Sequence, residues 1–64
     1  MPDQTTKARA QILWDAMDGN EKTGVRFGLF PAEKMRQAEA EGFNGREICI
    51  ALMEIAGRNG GMKA

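Results

Sequence analysis

Histidine, serine and tyrosine are missing from the 64 residues, and Cys49 is the single cysteine. One thiol cannot close an internal disulfide, and without histidine an ordinary structural zinc site lacks ligands. Charge of one sign is missing too: nine basic residues meet nine acidic ones, so nothing draws the chain over long range to nucleic acid or anionic lipid. The longest apolar run, from Ile48 to Met53, is six residues. A membrane span needs about 20. The start, Met-Pro-Asp-Gln-Thr-Thr, has neither a basic nor an apolar stretch and does not resemble a secretory leader, so a cytoplasmic location is the expectation.

Bulk is also scarce. Of the 27 apolar residues nine are alanine, and Met1 and Met62 lie near the ends, which leaves about fifteen large side chains for a core, at roughly 1.5–3 kcal/mol each when fully buried. Ordering costs about 1.5 kcal/mol per residue, so the folded monomer is expected to be marginal and to gain from a partner, identical or different.

Local patterns predict a single small domain over 1–64, mainly α, of three helices. Residues 5–17 form the first, capped by Thr5 or Thr6 and stopped by Gly19. Ala10, Leu13, Trp14 and Met17 share one stripe, with Ile12 and Ala16 opposite, which points to two buried faces. Pro31 opens the second helix, which runs to Glu41 with Gly42 as its left-handed stop. Its inward stripe is thin, Met35 and Ala38. Asn44 caps the third over 45–56, with Glu47 reaching back and Phe43 against Ile48, as in a capping box with a hydrophobic staple. Gly57 ends it, Arg58 complements its dipole, and the tail 58–64 is loose.

Between the first two helices, 18–24 reads as a loop, and Val25-Arg-Phe-Gly-Leu-Phe30 as a short extended run rich in strand formers. One strand cannot satisfy its own backbone. The run therefore either plugs the core irregularly with Phe27, Leu29 and Phe30 or pairs with its copy across a dimer.

Chemistry finds little purchase. Gly19 and Gly24 have phosphate-loop spacing, but Val25-Arg26 stands where Lys followed by Ser or Thr is required. The calcium-loop likeness from Asp18 fails at Thr23 and at Leu29, where glycine and glutamate belong. Cys49 lies between two isoleucines with no base to activate it. No enzyme, metal or cofactor is expected. The third helix instead gathers Ile48, Ala51, Leu52, Ile55 and Ala56 on a core arc and leaves Ile50 opposite, with Met53 at the boundary. Ile50 and Met53, joined by Phe27, Leu29 and Phe30 if the extended run is exposed, are the candidate contacts with a protein partner or a second copy. The expected role is a non-enzymatic interaction module: a small regulatory, adaptor or inhibitor protein, of the size common among accessory proteins of mobile elements.

The order of an extended run, a Pro-opened helix, Gly42-x-Asn44-x-x-Glu47 and then Ile-Cys-Ile-Ala-Leu resembles the ribbon-helix-helix repressors over residues 25–56. The resemblance implies an obligate dimer that lays a two-stranded ribbon, residues 25–30, in the DNA major groove, with Arg26 as the phosphate or base contact. DNA-binding repression is accordingly the alternative role.

Overall fold

A computed structural model describes residues 3–59. Helices α1 (Gln4–Asp15), α2 (Gly19–Arg26), α3 (Ala32–Ala40) and α4 (Gly45–Asn59) follow one another, and α4 makes the main packing contacts with each of the other three. The core is built on that central helix: Ile48, Ala51, Leu52, Ile55 and Ala56 of α4 close with Ala10, Leu13 and Trp14 of α1, Met17, Val25 and Ala38, and Phe30, Met35 and Phe43 pack against its margin. The accessible surface, 4103 Å² for 7.0 kDa, matches the roughly 4,000 Å² that size scaling gives a compact monomer.

Helix α1 starts earlier than Thr5 or Thr6 because Asp3 caps it. The Asp3 carboxylate accepts the Thr6 N–H at 2.8 Å, and Thr6 is itself buried in the first turn. That backbone N–H, helped by the Thr6 hydroxyl, holds the Asp3 carboxyl below its usual range. The ionised cap favours the folded state, so its contribution is complete above the ordinary value of 3.8 and vanishes as pH falls through the lower folded value. Asp3→Asn keeps the cap and is expected to flatten this acid limb, whereas Asp3→Ala lowers the melting temperature at neutral pH. A melting series between about pH 7 and pH 2 checks both. The second buried face expected of α1 is not formed, for Ile12 and Ala16 are exposed.

The described residues form four helices rather than three, because residues 19–24, expected as a loop, and Val25-Arg26, expected as part of an extended run, are helical. Asp18 and Glu21 supply a reciprocal capping box: the Asp18 side chain accepts the Glu21 N–H at 2.8 Å, and the Glu21 side chain accepts the Asp18 N–H at 3.2 Å. Val25, buried completely, pins the far end. The run 25–30 is not a strand in the single chain. Val25 and Arg26 end α2, Phe27 caps it, and Gly28, at φ +85°, turns the backbone away.

Two helices end in the same way. The Gly28 N–H donates to Val25 O and the Leu29 N–H to Gly24 O, at 2.9 and 2.8 Å; Gly42 and Phe43 repeat the pair on Glu39 O and Ala38 O, at 3.0 and 3.1 Å. Both are Schellman motifs with glycine in the left-handed position, Gly42 at φ +98°. Gly57 differs: α4 continues through it to Asn59, so it is no terminator, and a Cβ there would meet nothing within 4 Å. An exposed helical glycine weakens a helix without ending it. Alanine at Gly28 or Gly42 is expected to cost about 1–2 kcal/mol, while Gly57→Ala stabilises by about 0.5–1 kcal/mol, a reversal of sign that urea titration resolves. The expected loose tail begins, in part, as helix at residues 58 and 59; the Arg58 side chain and residues 60–64 lie outside what is described.

Helix α3 follows expectation to within one residue at each end, with Pro31 as N-cap and Glu41 as C-cap. For α4, Asn44 Oδ1 accepts the N–H groups of Arg46 and Glu47 at 2.9 and 3.2 Å. Arg9 of α1 grips Glu41 with two hydrogen bonds, at 2.7 and 2.9 Å, and Lys34 of α3 reaches Glu21 of α2 at 3.3 Å. These partly exposed ion pairs orient the outer helices more than they stabilise them.

Candidate interaction surface

Once α4 has turned its core arc inward, no helix among the described residues covers the opposite arc. Ile50 and Met53 are left 41% and 43% exposed. The turn after α2 adds Phe27 and Leu29, at 79% and 69%. Leu29 stays out for a local reason. In a Schellman motif the residue after the left-handed glycine packs on the residue five before it, here Gly24, which has no side chain to offer. At the equivalent place after Gly42, Phe43 meets Ala38 and is half-buried against the core.

Phe30, Ile50 and Met53 come together. With Gly28, Cys49 and Glu54 they line an open groove of about 510 Å³ between the α2–α3 connection and α4. Gly28 lets the connection pass here without a side chain of its own. Leu29 instead shares a neighbouring depression with Phe30, Pro31, Gly24, Asn20 and Glu21. Phe27 stands on the rim of the turn and, at 79%, is the most exposed of the large apolar side chains among the described residues. Ile12 on α1 is also exposed and lines neither hollow.

The groove is poorly equipped for reaction. Desolvation, and secondarily the negative charge of Glu39, push the Cys49 thiol above its ordinary value of 9.0, so the thiol form prevails at neutral pH and the sulfur is a weak nucleophile. Among the described residues no three His, Cys, Asp or Glu side chains converge to hold a metal ion, and no helix is long and apolar enough to cross a membrane. A smaller, more enclosed cleft between α1 and α4, lined by Gln4, Lys7, Ala8, Gln11, Ala51, Glu54 and Ile55, likewise presents no acid–base pair in an apolar pocket.

Arg26, the DNA contact implied by the resemblance, is on the last turn of α2 and not on an extended ribbon. Its guanidinium carbon is 6.0 Å from the centre of the Trp14 ring, which the Lys22 ammonium also approaches at 5.5 Å. Both cations cover one edge of the core. The helical wheel signals Ile50 and Met53 and sets Cys49 and Glu54 beside them on α4; Gly28 and Phe30 join the site by tertiary proximity, which no local pattern announces. Comparison of the chain with protein-family models, curated proteins and solved structures finds no match.

Proposed function

We propose that this protein is a non-enzymatic interaction module, a small regulatory, adaptor or inhibitor protein that acts by covering part of another macromolecule. The observation that carries this reading is the group of large apolar side chains, Ile50, Met53, Phe27 and Leu29, left outside a core that is already closed. Single exposed apolar residues are ordinary, but several gathered beside an apolar groove mark a contact. The geometry favours binding over turnover, because the groove offers shape and hydrocarbon with one carboxylate at its edge. A lone free thiol suits a reducing compartment, so the same reading places its work in the cytoplasm.

The test is a photo-crosslinking amino acid introduced in cells at Met53, with Lys7 on α1 as the control position. A discrete protein adduct is expected from position 53 and none from position 7. Ile50→Asp should reduce the adduct about tenfold or more while the helical circular dichroism of the purified chain is unchanged. An adduct indifferent to Ile50→Asp, or none, refutes the assignment.

A further inference from the structure

We infer that the partner fitting the Ile50 face is a second copy of this chain, docked through α4 in antiparallel orientation about a twofold axis at Ile50; this rests on the interaction-module reading above. Arg46, Ile50 and Glu54 are spaced four residues apart on α4, so they form one ridge along its outer face. A twofold axis through the middle of that ridge reverses it. Arg46 is then beside Glu54 of the partner subunit, and Glu54 beside Arg46 of the partner subunit, two opposite-charge contacts for one operation. A parallel arrangement would instead set Arg46 on its own copy and Glu54 on its own copy. The sequence of charges along the ridge is complementary to itself in one direction only.

Three observations agree. Arg46 and Glu54 are exposed and, among the described residues, enter no ion pair, although Arg9, Lys34, Glu21 and Glu41 do. At 1.5 Å of rise per residue the two charges stand about 6 Å on either side of Ile50, a polar rim around an apolar centre. The groove of Phe30, Cys49 and Met53 opens beside that centre to receive the incoming Ile50. A net charge of zero adds no repulsion between copies. A standard interface takes about 800 Å² from each partner, or about a fifth of the 4103 Å² available.

Sedimentation equilibrium from about 1 µM to 1 mM tests the assignment across the range of weak and strong dimers. A two-chain species is expected for the native chain and a single chain for Ile50→Asp, with unchanged helical dichroism. Arg46→Glu and Glu54→Arg each set like charges together at both ends and should weaken the dimer about tenfold or more. In an equal mixture the two substituted positions face each other with their charges exchanged, and a native contact of Arg46 with Glu54 stands at the other end. The two-chain species should then return to within about threefold of native affinity. A native chain that stays single at 1 mM, a dimer indifferent to Ile50→Asp, or a mixture that fails to recover overturns the inference. The two readings separate cleanly: a single chain that still gives the Ile50-dependent adduct to a different protein rejects the second copy and keeps the interaction module, whereas no adduct and no dimer reject both.

Discussion

Leu52→Ala is expected to remove about 3–4 kcal/mol of stability, at the centre of the range for buried leucines truncated to alanine. Leu52 is fully buried, in the middle of the helix that packs against all the others, so no neighbouring surface can relax into the space without moving a second contact. At about 0.05–0.15 kcal/mol per residue a chain of this length has roughly 3–10 kcal/mol in total. At the low end of that range the variant is partly or wholly unfolded at 25 °C, and at the high end it keeps about half its stability or more. Urea titration followed by far-ultraviolet dichroism measures it, and a loss below about 1 kcal/mol would contradict the burial of Leu52.

Trp14→Ala is the second large loss, about 3–5 kcal/mol for a buried aromatic. The ring is only 5% exposed, and Lys22 and Arg26 lie over it at 5.5 and 6.0 Å. Each such cation contributes about 0.5–1 kcal/mol at an exposed site. Trp14→Phe keeps most of the hydrocarbon and should cost clearly less than alanine. The damage from Trp14→Ala should fall first on α2, which has two glycines in eight residues and a single buried side chain, Val25. Hydrogen exchange reads this directly: amides near residues 25–28 should lose protection before those of α4. Because Trp14 is the one tryptophan of the chain, its fluorescence in the native protein reports the same local opening.

Much of the fold was legible because it rests on local signals. Ala10, Leu13, Trp14 and Met17 line up at helical spacing and are buried, and so are Ile48, Ala51, Leu52, Ile55 and Ala56. Gly42 announced a left-handed stop. Helix α2 was hidden by its own composition, since Gly19, Asn20, Thr23 and Gly24 are weak helix formers. Tertiary burial of Val25 and the contacts with Trp14 outweigh that propensity. Two local signals do mark the helix: Asp18-Gly-Asn-Glu21 has the spacing of a capping box, and Phe27-Gly28-Leu29 parallels Glu41-Gly42-Phe43. Strand formers at 25–30 masked the second of these. Of the site, Ile50 and Met53 could be placed from the wheel alone, whereas the approach of Phe30 and Gly28 to them depends on how α2 turns.

The packing of α1, α2 and α3 chiefly onto α4 has a consequence for biosynthesis. On the ribosome the three earlier helices emerge first and meet one another only through minor contacts, so most of their native burial waits until residues 45–56 have cleared the exit. Folding is then a late, all-or-none event, and a nascent chain arrested before that point should remain open to proteases along its length.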